Sequence, residues 1–204
     1  MNNVTERAFL KNRDPIKEVL SEIFNNDTLR VVEIGSGIGE HAVYFAKQFK
    51  NIVWTCTEVS SQLPALTNQL KMAKLSNIKG PVHFEVGVNN FPKYTYDIVF
   101  TANTFHIMSW KQCKNLMKMW GNRLREGAQV IIYGPFNYEG KFTSESNSDF
   151  DKFLKNNSIE KGIRDFTDVN NNMIKNGFVL YKDFQMPANN RMLVYTRLVF
   201  IKDL

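Results

Sequence analysis

The chain has 204 residues, of which 43% are hydrophobic and 23% are charged, the make-up of one folded globular domain. This composition excludes a disordered, collagen-like or low-complexity chain. The formal net charge is +6. The basic residues are scattered, without a run of five like charges, which favours a solvated surface over a nucleic-acid partner. The charge alone does not exclude such a partner.

Hydrophobic periodicity indicates strands that alternate with helices along most of the chain. In chain order the patterns predict a helix over 14–24, a strand over 29–34, a helix over 41–50, a strand over 52–57, a helix over 61–75, strands over 82–86 and 96–102, a helix over 110–124, a strand over 129–133, a short helix ending at Leu154, a helix over 167–176, and strands over 178–186 and 191–201.

Residues at helix ends support these assignments. Asp14 is placed to cap the first helix, with Pro15 in its first turn. Ser146 and Asp149 have the spacing of a capping box, with Asp in place of the usual Glu. Gly177 follows the last predicted helix as a C-terminal cap.

The order of elements predicts an α/β fold with a mostly parallel sheet of about seven strands and helices on both faces. The connector 187–190 is too short for a helical crossover, so the last two strands form an antiparallel hairpin. We expect a single domain over 1–204, with 1–27 as an N-terminal helical cap and 134–166 as an insertion loop on the substrate side.

A glycine-rich turn follows the first predicted strand and reads E-x-G-x-G-x-G over 33–39. Such a turn between a buried strand and a helix is typical of a nucleotide cradle, because glycines let the backbone approach the ligand and the helix offers free N–H groups. The dinucleotide fingerprint G-x-G-x-x-G/A fails when it is counted from Gly35, because Glu40 stands at its last position. Counted from Gly37 it is met at Ala42, which is weak evidence for NAD.

Two carboxylates narrow the choice of ligand. Glu33, beside the cradle, suits a ligand that carries an ammonium or sulfonium group and would repel a pyrophosphate. Glu58, at the end of the second strand, can accept hydrogen bonds from ribose hydroxyls, which NAD and S-adenosylmethionine share. The alternative for Glu58 is a charge that stabilises the start of the next helix.

This pattern resembles class I S-adenosylmethionine-dependent methyltransferases, whose Rossmann-like sheet also ends in an antiparallel hairpin. Over essentially the whole chain the likeness is to the DUF938 (UPF0585) family of methyltransferase-like proteins. It depends on the stretches 11–16 (KNRDPI), 33–46 (EIGSGIGEHAVYFA), 101–107 (TANTFHI), 133–137 (YGPFN), 143–147 (TSESN), 162–165 (GIRD) and 186–190 (MPANN).

The resemblance implies S-adenosyl-L-methionine as the cofactor, and two positions depart from the pattern. Glu58 and Glu85 stand where Asp is expected, which keeps each carboxylate and lengthens it by one methylene. The implied cofactor-binding residues are Glu33, Gly35, Ser36, Gly37, Gly39, Glu58, Val59, Glu85, Val86, Thr101, Ala102 and Arg13. Arg13 is a candidate partner of the cofactor carboxylate or of Glu33, with a surface role as the alternative.

The loop after the fourth strand is where a base would meet the acceptor, because the carboxyl ends of the strands carry the site in such sheets. His106 is the candidate base, and Asn103 is a candidate to orient acceptor or cofactor. The alternative for His106 is a hydrogen-bonded structural histidine. As a base it would give kcat/KM a rise near the ordinary histidine pKa of about 6.5.

The loop after the fifth strand and the hairpin turn are rich in aromatic and amide side chains. Phe136, Asn137 and Asn189, with Tyr138 and Phe142 beside them, predict a pocket for a small polar or aromatic acceptor, although Asn and Ser also serve ordinary turns. The Asn/Asp-Pro-Pro-Tyr/Phe motif of many adenine-N6 and glutamine methyltransferases does not follow the fourth strand. We expect no metal, because acidic residues do not cluster beyond strands four and five.

The leading hypothesis is therefore a methyltransferase that acts on the O or N atom of a small molecule. A non-catalytic S-adenosylmethionine-binding protein or partner subunit, and an RNA or protein methyltransferase, are the alternatives. Cys56 and Cys113 make neither a disulfide framework nor a zinc site, which fits a reducing compartment. With no readable leader and no apolar run of about 18 residues, we expect a cytoplasmic protein without a membrane partner.

Overall fold

A computed structural model describes the backbone of residues 2–199 and the side chains of residues 9–199. Over the described range the elements are α1 (Asn2–Phe24), β1 (Arg30–Ile34), α2 (Glu40–Gln48), β2 (Val53–Glu58), a 3-10 turn (Ser60–Gln62), α3 (Leu63–Ala73), β3 (Ile78–His83), β4 (Ile98–Ala102), α4 (Trp110–Arg123), β5 (Gln129–Asn137), α5 (Glu145–Asn157), β6 (Arg164–Asp165), α6 (Phe166–Lys175), β7 (Phe178–Met186) and β8 (Asn190–Arg197).

The strands form one sheet in the order β3-β2-β1-β4-β5-β8-β7, with the short β6 paired to β5. The strands from β3 to β5 run parallel, whereas β8 is antiparallel to both β5 and β7. The predicted mostly parallel sheet with a C-terminal antiparallel hairpin is confirmed. The carboxyl ends of β1, β2, β4 and β5 therefore meet at one edge.

Helices cover both faces of the sheet, as predicted. One core cluster joins a face of the sheet to α1, α2 and α3, with Phe45 and Trp54 among its buried side chains. The other joins the opposite face to α4 and α6, with Trp120 and Met173 among them. Buried strands between two helical layers explain why β1, β4 and β5 have nearly continuous apolar sequences.

Two strands differ from their predicted bounds. The third strand covers Ile78–His83 instead of 82–86, because it pairs with β2 at an exposed edge where Gly80 and Pro81 obscure the alternation. The fifth continues past residue 133 to Asn137, because β8 pairs with it as far as Pro135. The predicted end of the last strand at residue 201 lies outside the described residues.

The first and fifth helices also differ from expectation. Helix α1 begins well before Asp14 and contains Pro15, and Asp14 accepts a hydrogen bond from the hydroxyl of Tyr44 on α2. Ser144 instead of Ser146 caps α5, since the Ser144 hydroxyl accepts the N–H of Asn147 at 3.1 Å. The predicted insertion loop thus contains α5 and β6.

Both cysteines are buried and free, as expected. Within residues 2–199 no helix combines the length and the apolar character needed to cross a membrane.

Candidate functional site

The glycine turn connects β1 to α2 at the carboxyl edge of the sheet. Gly35 has a φ of +73°, and a Cβ on it would lie 2.7 Å from the hydroxyl of Thr104 in the loop after β4, so a side chain here would clash as well as strain the turn. Gly37 has a φ of +56°, and a Cβ on it would meet nothing within 4 Å. The turn is therefore closely packed against the loop after β4 at Gly35, whereas the space that a side chain at Gly37 would occupy is open.

Glu58 ends β2 beside this turn, and its side chain is 8% exposed. One carboxylate oxygen accepts the N–H of Gly37 at 2.6 Å and the other accepts the N–H of Val59 at 2.8 Å. Each oxygen keeps a second lone pair that a hydroxyl could use. The prediction that Glu58 and the glycine turn share one site is consistent with this geometry.

Glu33 lies behind the turn, on the α2 side of the sheet, and is only 2% exposed. Its carboxyl accepts a hydrogen bond from the indole N–H of Trp54 at 3.1 Å. Burial raises the pKa of Glu33 to about 7, an effect that the bonds from Trp54 and Ser36 oppose. At neutral pH the group is thus partly protonated, so it carries less negative charge than the sequence suggested.

Arg13 lies on α1 above α2. Its guanidinium carbon is 5.0 Å from the ring centroid of Tyr44, and its Nε is 3.7 Å from a carboxylate oxygen of Asp14. The expected pairing with Glu33 is replaced by these contacts, because Glu33 is enclosed beneath the turn. A role for Arg13 toward the cofactor carboxylate stays a prediction.

Four more of the predicted cofactor residues lie at or just after the carboxyl ends of β3 and β4, at the same edge of the sheet. Glu85 and Val86 lie in the loop after β3, where the Glu85 N–H donates to the side-chain oxygen of Asn89 at 2.8 Å. Thr101 is buried and donates its hydroxyl to the carbonyl of residue 34 at 2.9 Å. Ala102 is half-buried at the end of β4. Thr101 therefore ties β4 to the glycine turn.

His106 and Asn103 converge on one point above Gly134 of β5. A Cβ on Gly134 would lie 3.7 Å from Nδ1 of His106 and 3.9 Å from Oδ1 of Asn103. Asn103 has a left-handed backbone, with φ of 56°. The structure thus brings the two predicted catalytic side chains together over a residue that has none.

His106 is 5% exposed, and its ring packs against Phe150 of α5 with centroids 5.3 Å apart. Burial, and after it the positive charge of Arg164, lowers the pKa of His106 to about 4. The imidazole is therefore neutral at neutral pH. The ordinary pKa of about 6.5, from which the pH dependence was predicted, therefore does not apply to this ring, because residues from α5 and β6 enclose it.

Of the predicted substrate residues, Phe136 is 1% exposed and belongs to the core cluster under α4 and α6. It offers little surface to an acceptor, because the extension of β5 turns it into the core. Asn137 is half-buried, and its Oδ1 has no hydrogen-bond partner. Asn189 lies in the hairpin turn, where its carbonyl accepts from Asn147 of α5 at 3.3 Å.

Sequence reasoning missed Phe150 and assigned no role to Arg164. The only signal for Arg164 was its place in the 162–165 stretch of the family resemblance. Among the described side chains, no three His, Cys, Asp or Glu residues are grouped as metal ligands.

Solved structures with a similar fold include methyltransferases. An O-methyltransferase family protein from Burkholderia thailandensis has a TM-score of 0.77 and 14% identity, over 91% of this chain and 56% of that one. An O-methyltransferase family 2 protein from Planctomyces limnophilus, in complex with apigenin, has a TM-score of 0.74 and 11% identity, over 83% and 51%. The S-adenosylmethionine-dependent methyltransferase SibL has a TM-score of 0.74 and 16% identity, over 91% and 55%.

At these identities the likeness shows the fold alone, and the chain spans about half the length of those proteins. The model of the family described as "Protein of unknown function (DUF938)" matches residues 3–197. The chain therefore belongs to the DUF938 family and has the fold of class I S-adenosylmethionine-dependent methyltransferases.

Proposed function

We propose that this protein binds S-adenosylmethionine and transfers its methyl group to an O or N atom of a small-molecule acceptor. The observation that carries the proposal is the position of antiparallel β8 between β5 and β7. The dinucleotide-binding sheet has the order 3-2-1-4-5-6, which lacks this antiparallel insertion, and the solved structures with the fold of this chain include S-adenosylmethionine-dependent methyltransferases.

The residues present fit such a cofactor. The space in front of Gly37 is open, and the Glu58 carboxylate beside it can accept ribose hydroxyls. When bound, the cofactor supplies an electrophilic methyl group for in-line displacement. The protein's own contribution is to align the two reactants and exclude water, which supplies much of the rate in such reactions.

His106 and Asn103 are proposed to hold the acceptor above Gly134. A neutral imidazole at Nδ1 can accept the proton of an acceptor hydroxyl or amine, and Oδ1 of Asn103 can orient the same group. The low pKa of His106 makes it a weak base. It therefore suits an acceptor that loses its proton only while the acceptor atom is forming its bond to the methyl carbon, because the acceptor becomes more acidic at that stage.

Titration calorimetry tests the cofactor assignment. S-adenosylhomocysteine should bind with a roughly micromolar dissociation constant, about −8 kcal/mol, and NAD should give no heat. Glu58→Ala should weaken S-adenosylhomocysteine binding by about 1–3 kcal/mol, because hydrogen bonds to the ribose are lost. Tight NAD binding without a response to S-adenosylhomocysteine would refute the assignment. Labelled cofactor in a metabolite extract then identifies the acceptor.

A further inference from the structure

The turn that carries His106, here called the His106 turn (residues 104–108), depends on groups from elsewhere in the chain. Its internal bonds are the N–H groups of Ile107 and Met108 to the carbonyl of Thr104, at 2.9 and 3.1 Å. The carbonyls of residues 105, 106 and 108 take no part in these internal bonds. Carbonyls in such a partly buried place require donors.

The segment 160–164 supplies a donor to each of these carbonyls, and the thiol of Cys113 on α4 adds a weaker one to that of Phe105 at 3.4 Å. The Arg164 guanidinium donates through Nε to the carbonyl of Phe105 at 3.1 Å and through a terminal nitrogen to that of Met108. The same terminal nitrogen donates to the carbonyl of Glu160 at 2.7 Å. The Gly162 N–H donates to the carbonyl of His106 at 3.0 Å. Arg164 is thus hydrogen-bonded to the turn on both sides of His106.

The segment is itself anchored at two places. Arg164 pairs with Phe136 in the short parallel ladder between β6 and β5. Asp151 of α5 is 3% exposed, and it accepts the N–H of Ile163 at 2.8 Å and the ammonium group of Lys155 at 2.6 Å. Phe150, next to Asp151, contacts the His106 ring. The segment that holds the His106 turn is therefore itself bonded to β5 and α5.

We propose that Arg164 is the positioning residue of this site: its forked guanidinium holds the His106 turn and keeps the imidazole aimed at the point above Gly134. The role toward an acceptor rests on the proposed function, whereas the hydrogen bonds from Arg164 to the His106 turn do not depend on it. An arginine is suited to this task because its planar fork reaches two carbonyls at once, which a lysine ammonium on a single stem does not.

The charges around the ring agree with this assignment. β6 carries Arg164 and Asp165, and α5 carries the Asp151–Lys155 and Asp149–Lys152 ion pairs and Glu145. β4 and β5 carry no charged side chain, and the titratable group of β5 is the Tyr133 hydroxyl. Of these groups, Arg164 acts on the pKa of His106. Burial of the ring and, after it, the positive charge of Arg164 disfavour the imidazolium form. Loss of Arg164 should therefore raise the pKa of His106.

NMR tests this without an acceptor. The signal of a carbon-bound imidazole proton of His106 is assigned by comparison with the variants His41→Gln and His83→Gln. Its chemical shift is then followed against pH in wild type, Arg164→Met, Arg164→Lys and the exposed control Arg123→Met. Arg164→Met should raise the pKa of His106 by about one unit or more. Arg164→Lys keeps the charge, so the pKa should stay low. In both Arg164 variants, amide hydrogen exchange at residues 107 and 108 should become at least about tenfold faster, because the forked guanidinium that bonds the turn is lost.

Two results would overturn the proposal: an unchanged His106 titration in Arg164→Met, or unchanged exchange at 107 and 108 in Arg164→Lys. The second decides the matter if Arg164→Met fails to fold. Arg123→Met should match wild type in both measurements. S-adenosylhomocysteine affinity should remain within about threefold in Arg164→Lys, because Arg164 does not contact the glycine turn. A wild type that fails to bind S-adenosylhomocysteine would refute the proposed function and leave the test of Arg164 intact.

Discussion

Gly37 combines a left-handed backbone, with φ of +56°, and open space where a Cβ would stand. Gly37→Val should abolish binding of S-adenosylhomocysteine, because the branched side chain would occupy that space and strain the turn. Gly127 is a matched control, since it has a φ of +76° and an equally open surrounding, and precedes β5 at the opposite edge of the sheet.

Calorimetry and urea unfolding separate the two effects of these substitutions. Both valine variants should lose about 1–2 kcal/mol of unfolding free energy through backbone strain, and only Gly37→Val should lose the ligand. Equal affinity in the two variants would locate the cradle elsewhere.

The neutral, enclosed imidazole of His106 predicts a particular pH dependence. If His106 accepts the proton, His106→Ala should lower turnover by about 10²–10⁴ and leave cofactor affinity within about threefold. Because the pKa of His106 is lowered to about 4, wild-type kcat/KM should show no His106 inflection between pH 5.5 and 8.

Initial rates with the identified acceptor check this, with His83→Ala on exposed β3 as the control. A rise near pH 6.5 that His106→Ala removes would contradict the buried state of the ring. Nearly full activity in His106→Ala would leave alignment as the whole mechanism.

At the scale of elements, helix α5 forms a wall of the site, since its Phe150 contacts His106. Its first turn depends on Ser144, whose hydroxyl accepts the N–H of Asn147. Ser144→Ala should lower the unfolding free energy by about 1 kcal/mol, because an orphan N–H loses its partner. Ser146→Ala should cost only a few tenths. Urea unfolding of both variants decides which serine is the cap, and a larger loss at Ser146 would restore the interpretation from spacing alone.

For the whole molecule, three buried groups make stability depend on pH in opposite directions. Burial lowers the pKa of His41 and His106 to about 4. The unfolded chain therefore binds more protons than the native state up to about pH 6.5, and stability rises with pH in that window. Glu33, whose pKa is raised to about 7, acts oppositely from about pH 4.5, since the native state keeps a proton that the unfolded chain has lost.

Replacing Glu33 with a neutral residue should remove its contribution to the pH dependence of stability. Glu33→Gln should be more stable than wild type by roughly 1–3 kcal/mol at pH 8 and by much less at pH 5. Urea unfolding across this range measures it, with the exposed Glu22→Gln on α1 as a control that should follow wild type. A Glu33→Gln variant less stable than wild type at pH 8 would show that the carboxylate is stabilised by its neighbours.

What the sequence determined by itself is the local part of the fold and of the site. The order of strands and helices, the hairpin and the glycine turn follow from periodicity, connector length and glycine spacing, which are properties of short segments. The place of Glu58 at the end of β2 was predicted for the same reason, because an acidic residue at the end of a strand is readable without its neighbours.

What only the tertiary structure decided depends on contacts between distant segments. Pairing with β8 extended β5 and turned Phe136 into the core, and contact with α2 accompanies the longer α1. The enclosure of His106 needs Phe150 and Arg164, which lie 44 and 58 residues further along the chain. A pKa reflects the surrounding dielectric and charge, so the protonation state of this histidine was decided by folding, although its place after β4 was readable from the pattern.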